Sequence, residues 1–181
     1  MLIRFAFAFL LMPTLAVAQD CPANLPEDPR LGPLMEQVKT APDEMSALLT
    51  TNELWAVWAT APDEQAQEIL DVGIERRALN DLESARAAFD ALIEYCPDYA
   101  EGYNQRAFVS VISGKIEQAL PDLDRAIELD PDHYPALTGR AMVLMHMGRL
   151  QEASETLQTA LDLNPWLPER RFMADLPETR L

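Results

Sequence analysis

Apolar side chains recur along this chain at steps of three and four residues, the spacing that keeps them on one face of an α-helix. Tyr103, Ala107 and Val111 form one such row, and Leu120, Leu123 and Ile127 form another. No stretch reads as the two-residue alternation of a strand. The helical rows break at regular places. Gly114-Lys115 and Gly148-Arg149 stand 34 residues apart, and Asn80-Asp81 holds the equivalent place one period earlier. Pro97, Pro131 and Pro165 repeat at the same interval. Each ends a helix, because proline has no amide donor and biases the residue before it away from helical geometry. The pattern predicts helix–turn–helix units over residues 66–99, 100–133 and 134–167, a stack rather than one globular core.

Small residues fall in register within that frame. Gly73, Ala107 and Ala141 hold the eighth place, and Ala85, Ala119 and Ala153 the twentieth; antiparallel helices approach closely only where the crossing point carries little side chain. Phe89, Leu123 and Leu157 fill the twenty-fourth place, and Leu92, Ala126 and Ala160 the twenty-seventh. Pro121 lies in a second helix and costs stability unless it falls in that helix's first turn. Upstream, residues 32–65 read as a degenerate unit: a short helix near 31–40, shortened by Pro42, and a longer one near 43–60 that starts at Asp43. A stack needs a first unit unlike the rest, so this pair is expected to cap it, with Trp55 and Trp58 in the cap's core or stacking on a ligand. Downstream, Pro168 opens and Pro177 limits a helix of about two turns. Residues 168–181 are expected as a thin lid held by Trp166, Phe172 and Met173; the alternatives are an irregular tail along the last unit, or a face covered by a partner or a second copy.

The run Ala100-Glu-Gly-Tyr-Asn-Gln-Arg-Ala107, then Gly114, Ala119, Leu123 and Ala126-Ile-Glu-Leu-Asp-Pro131, resembles the tetratricopeptide repeat nearly residue for residue. Ala141, Gly148, Ala153 and Ala160-Leu-Asp-Leu-Asn-Pro165 match it as well, and the likeness extends over residues 66–167. Two positions depart from it: Leu92 stands where the family has alanine, and Arg76 where it has a bulky apolar or aromatic residue, which is expected to loosen the first unit. The resemblance implies an all-α fold, a right-handed α-solenoid of three clear repeats behind a degenerate N-terminal helical pair. It also implies a concave groove lined by the first helix of each unit. The repeat offsets then place Asn104, Phe108, Val111 and Ile112 in that groove from the second unit, beside Glu101. They place Thr138, Met142, Met145 and His146 there from the third, and Gln67, Leu70, Ile74 and Arg77 from the first. Apolar side chains inside a polar rim suit a peptide carrying an apolar anchor, and methionine adapts to varied shapes. Family members that grip a C-terminal carboxylate use lysine, asparagine and arginine on these helices; Asn104 alone matches near those offsets, so that specialised mode is not expected.

The first residues change where the chain is expected to work. Arg4, the apolar run Phe5–Met12 and Ala16-Val17-Ala18 have the order of a secretory signal peptide cut after Ala18; the run is short for a membrane span. Asp20 before Cys21 argues against lipid attachment. The predicted location is periplasmic or secreted. The chain carries a net charge of −16; without residues 1–18, 13 basic side chains face 30 acidic ones, a net −17. Such a molecule repels nucleic acid and anionic lipid and favours a basic or apolar protein segment. Cys21 sits in a proline-rich leader, residues 19–31, and Cys96 at a helix end before Pro97. An oxidising compartment favours a bridge between them, with about 4 kcal/mol from chain entropy as an upper bound; two free thiols or a redox pair are the alternatives.

Catalytic signatures are missing from the sequence. There is no glycine-rich phosphate loop and no nucleophile elbow. His133 and His146 are the two histidines, one in an inter-unit turn and one near a helix end; neither has zinc-ligand spacing to the cysteines. Asp122/Asp124 and Asp130/Asp132 lack the glycine and ligand spacing of a calcium loop. No cofactor, metal or enzymatic activity is expected. The expected function is a scaffold that binds a peptide segment or partner protein in its groove, in envelope assembly or maturation. The alternative is a self-associating structural module, a homo-oligomer without a peptide ligand.

Overall fold

A computed structural model of the protein describes residues 21–22 and 28–178. The expected signal peptide lies outside the described residues, as do residues 179–181 of the tail. Among the described residues there are helices and no strands. In chain order they are α1 (Leu31–Lys39), α2 (Glu44–Trp58), α3 (Glu64–Ala78), α4 (Leu82–Tyr95), α5 (Ala100–Ile112), α6 (Leu120–Leu129), α7 (Tyr134–His146) and α8 (Leu150–Leu163). Short 3₁₀ stretches, Ile116–Ala119 and Pro168–Asp175, precede α6 and follow α8. Pairs α1–α2, α3–α4, α5–α6 and α7–α8 pack as hairpins, and α4–α5 and α6–α7 join successive hairpins.

The turns inside the three tandem hairpins share one mechanism. Asn80, Gly114 and Gly148 have φ of 58°, 74° and 72°, the left-handed region where glycine costs nothing and asparagine little. Each closes a Schellman motif. The amide of Asn80 donates to the Arg77 carbonyl and that of Asp81 to the Arg76 carbonyl, and the same pair of bonds recurs at Gly114/Lys115 and Gly148/Arg149. Pro121 lies in the first turn of α6, where its missing amide leaves no bond unmade. Asp43, Asp63 and Asp81 each cap a helix through the amide three residues on.

Packing follows the register of small and large positions. A Cβ on Gly73 would lie 2.4 Å from Cε1 of Phe89; in the next two hairpins alanine faces leucine at these positions, Ala107 with Leu123 and Ala141 with Leu157. The larger ring thus demands the smaller partner. Leu92 is fully buried and packs toward Gly102 of the next helix, 3.5 Å from where a Cβ there would stand. Arg76 points outward and pairs with Asp81 at 3.7 Å.

Polar struts tie neighbours together on the outer surface. Arg106 bonds Asp122 (2.9 and 2.5 Å) within its own hairpin and Asp90 (2.8 Å) in the one before. Arg140, one period later, bonds Asp124 (2.6 Å) and Thr156 (2.5 Å). The Arg86 guanidinium donates to Ser110 Oγ at 3.0 Å.

The N-terminal hairpin departs from the expected end cap. Leu34 and Val38 of α1, with Leu54, Val57 and Trp58 of α2, share one buried core with Tyr134, Leu137, Ala160 and Leu167 of the third hairpin and its exit. α1 packs on α8, the Tyr99 hydroxyl donates to the Trp58 carbonyl at 2.5 Å, and Arg170 reaches Glu44 at 3.7 Å. Lys39 and Thr51 stand at the places where the tandem hairpins carry small residues, so α1–α2 does not share their register of crossings. Its apolar surface is buried instead against the far end of the molecule. The core of the first tandem hairpin, around Leu70, Phe89 and Leu92, takes in the leader through Cys21. Cys21 and Cys96 form a disulfide with a Cα separation of 5.3 Å, closing a loop of sequence separation 75. At the other end, residues 168–175 lie on α8, and Ser154 Oγ donates to the Pro177 carbonyl at 2.6 Å.

Candidate functional site

Folding α2 back across the stack makes a second wall opposite the first helices. Between the walls lies a cavity of about 1270 Å³. The first wall follows from the repeat itself. Ile74, Phe108 and Met142 occupy equivalent places on α3, α5 and α7, and Arg77, Val111 and Met145 form the next row; all six line the cavity. The second wall is one stripe of α2: Glu44, Ala47, Leu48, Thr51 and Trp55, running on to Ala59, spaced as residues on a single helical face. Trp166, Leu167, Pro168 and Glu169 close one end.

Of the residues assigned to the groove from sequence, Asn104, Phe108, Val111, Thr138, Met142, Met145 and His146 line the cavity, and Ile112 does not. Ile112 is 43% exposed outside it. Ile74, Arg77 and Glu101 also line it. Leu70 is fully buried in the hairpin core, and Gln67 bonds the Ala59 carbonyl and the Ala61 amide at the α2–α3 link. The two tryptophans separate: Trp58 is buried against His133 and Tyr134, whereas Trp55 is 38% exposed and lines the cavity. Sequence reasoning missed Leu48, Thr51 and the Trp166–Glu169 stretch. A signal for the α2 wall was present: Met45, Leu48, Leu49, Leu54, Trp55, Val57 and Trp58 surround that helix on all sides, and a helix apolar all round has neighbours on more than one face.

A buried polar cluster sits at one side of the cavity. Glu101 is 1% exposed and His133 fully buried. His133 Nδ1 accepts the Ala136 amide (3.2 Å), capping α7, so its ring proton lies on Nε2 and is donated to Glu101 Oε2 at 3.0 Å. Asn104 Nδ2 donates to the same carboxylate at 2.9 Å, and Gln105 Nε2 donates to its other oxygen. A buried carboxylate is tolerated only with such a set of donors. Arg77 in turn donates to Gln105 Oε1 and lies over the Phe108 ring, 5.0 Å from its centroid. Desolvation holds the Arg77 guanidinium below its ordinary pKa, with Glu101 opposing. Burial pushes the Tyr99 phenol well above its usual range, and the Glu101 charge adds to that shift. This histidine, placed in a turn by sequence, is a structural member of the cluster. Among the described residues no group of three His, Cys, Asp or Glu side chains converges as metal ligands, and no helix is long and apolar enough to cross a membrane.

Fold and cavity define a helical-repeat protein with a partly enclosed apolar groove. The family model described as "Tetratricopeptide repeat" matches residues 111–166. Among solved structures, the chain is similar to the first TPR of Spaghetti (RPAP3) bound to an HSP90 peptide, with 19% identity and a TM-score of 0.60 over 62% of this chain and 91% of that one. It is similar to the TPR2B domain of yeast Sti1 in complex with pHsp70, with 26% identity and a TM-score of 0.56 over 62% and 93%. It also resembles the Arabidopsis OM64 TPR domain, with 19% identity and a TM-score of 0.58 over 61% and 91%. No curated protein matches the chain significantly. Residues 111–166 match a tetratricopeptide repeat, and the chain shares the fold of tetratricopeptide-repeat domains.

Proposed function

We propose that this protein is a binding scaffold that holds a segment of a partner protein in the cavity between α2 and the first helices of its repeats, in the periplasm or outside the cell. The observation that carries the reading is the cavity itself: two largely apolar walls, with Trp55, Leu48 and Phe108 substantially exposed on them. Apolar surface of this kind, rimmed by polar groups, marks a binding site. Solved relatives of the same fold hold HSP90 and Hsp70 peptides. The Cys21–Cys96 bond and the signal-like residues 1–18 support export; a role in envelope assembly or maturation fits that setting. The self-associating alternative relies on a bare C-terminal face, and residues 168–175 cover part of it.

A photo-cross-linking amino acid placed at Phe108, in the cavity, and at Leu79, exposed but outside it, tests the reading in producing cells. Discrete protein adducts from position 108 that are missing from position 79 are expected. Equal adducts from both positions, or none from 108, would overturn it.

A further inference from the structure

We infer that the occupant of this cavity is an amphipathic α-helix of about four turns with a basic polar face, rather than an extended peptide; this rests on the scaffold reading above and specifies its ligand. Four observations on the cavity carry it.

Size favours a macromolecular segment over a small molecule. Ligand pockets span roughly 300–1,000 Å³, and this one is about 1270 Å³. Its length is set by α2, whose cavity stripe runs from Glu44 to Ala59. At 1.5 Å per residue that is about 22 Å, the length of about 15 helical residues lying alongside.

The walls offer an extended backbone few partners. An extended peptide brings an unpaired amide and carbonyl at every residue, and each one buried without a partner costs free energy. Several of the polar side chains inside are already bonded to one another. Asn104 and Gln105 donate to Glu101, and Arg77 donates to Gln105. Thr138 donates to the Tyr134 carbonyl, and Asn164 to Thr51. A helix satisfies its own backbone and presents only side chains to such walls.

The α2 stripe is also shaped to receive a helix. Small residues, Ala47, Thr51 and Ala59, alternate with the larger Leu48 and Trp55. That is the ridge-and-groove relief into which a second helix packs, and Leu48 and Trp55 stand exposed on this stripe.

Charge then selects the sign of the occupant. Glu44 and Glu169, beside the buried and already bonded Glu101, line the cavity with Arg77, in a chain of net charge −16. A second copy brings the same charge and is repelled; a helix with lysine or arginine on its outer face is drawn in.

Three fluorescein-labelled peptides test the inference on protein purified from producing cells with the Cys21–Cys96 bond intact. One is an amphipathic helix former with Leu and Met on one face and Lys on the other. The second has the same composition with two central prolines, which block the helix and allow extended chain. The third carries Glu in place of Lys. Fluorescence anisotropy at physiological salt is expected to show the lysine helix binding at least about tenfold tighter than either other peptide. Met142→Glu on α7 and Leu48→Glu on α2 should each weaken it about tenfold or more. Equal binding of the proline peptide, lost on Met142→Glu, would overturn the helix inference while sparing the groove reading. Tighter binding of the glutamate helix would overturn the stated charge. If no peptide binds, the inference fails, and the Phe108 cross-link separately decides the scaffold reading.

Discussion

The three tandem hairpins and the N-terminal hairpin are all antiparallel helix pairs, yet they are held in opposite ways. Each tandem hairpin touches its sequence neighbours: α4 meets α5, α6 meets α7, and Arg106 bridges one hairpin to the one before. The N-terminal hairpin is buried against residues about a hundred positions away, at Tyr134, Leu137, Ala160 and Leu167. Stacks of the first kind add stability unit by unit through nearest-neighbour contacts. The second kind of contact is gained or lost at once, because one hairpin docks as a body on one surface. The cavity belongs to neither region alone. One wall is periodic and the other is the docked helix, so any binding there depends on the least periodic contact in the molecule.

Breaking that contact should have the largest effect. Trp58→Ala removes a buried ring packed on His133 and Tyr134 and should cost about 3–5 kcal/mol. Hydrogen exchange should then show lost protection in α1 and α2 with α5–α8 protected; uniform loss along the chain would mean the two regions are one cooperative unit. Next comes the disulfide. Replacing Cys21 and Cys96 with serine should lower stability by about 2–4 kcal/mol in urea denaturation. It should loosen the first tandem hairpin, whose core includes Cys21, more than the third; the reverse order would contradict the assignment.

A smaller effect sharpens the periodic side of the comparison. Gly73→Ala drives a methyl group into Phe89 and should cost about 1–3 kcal/mol. The double variant Gly73→Ala with Phe89→Leu restores the pairing of the other hairpins and should recover most of that loss. Additive losses in the double-variant cycle would show that the two positions do not share one space. The smallest effect is on pH. The Ser46 amide and hydroxyl bond the Asp43 carboxylate at the start of α2 and hold its pKa below the ordinary 3.8, with burial opposing weakly. A lowered carboxylate stabilises the folded state fully above its unfolded value, and the contribution fades as pH falls through the folded value. The urea midpoint should therefore drop slightly below pH 4, and less so in Asp43→Asn, which keeps a cap without the charge.

How much of this was legible in the sequence differs between the two regions for a physical reason. The repeat period placed Gly114 and Gly148 in left-handed turns and Asn80 with them, because a hairpin turn makes the same demand on each unit. It brought Phe108, Val111, Met142 and Met145 to one surface, because equivalent positions on parallel helices face the same way. Ile112 failed, since one residue's rotation on α5 turns it off the lining face. His133 was placed in its turn by the repeat, but its partner was not legible because Glu101 lies 32 residues away on another helix. Leu48, Thr51 and Trp166 were not assigned to the site because nothing in α2 or the tail repeats the period, and the apolar character of α2 does not say what packs on it.

From the sequence alone came the all-helical class, the repeat frame, the small-residue crossings and the pairing of the two cysteines as one option among three. These are local or periodic properties, and each contact they imply lies within a repeat or next to one. Only the tertiary structure decided where α1–α2 dock, which tryptophan is buried and which faces the cavity, and that the groove has a second wall. Those outcomes depend on two non-repeating surfaces, far apart in the chain, fitting each other in shape, and no spacing along one sequence records such a fit.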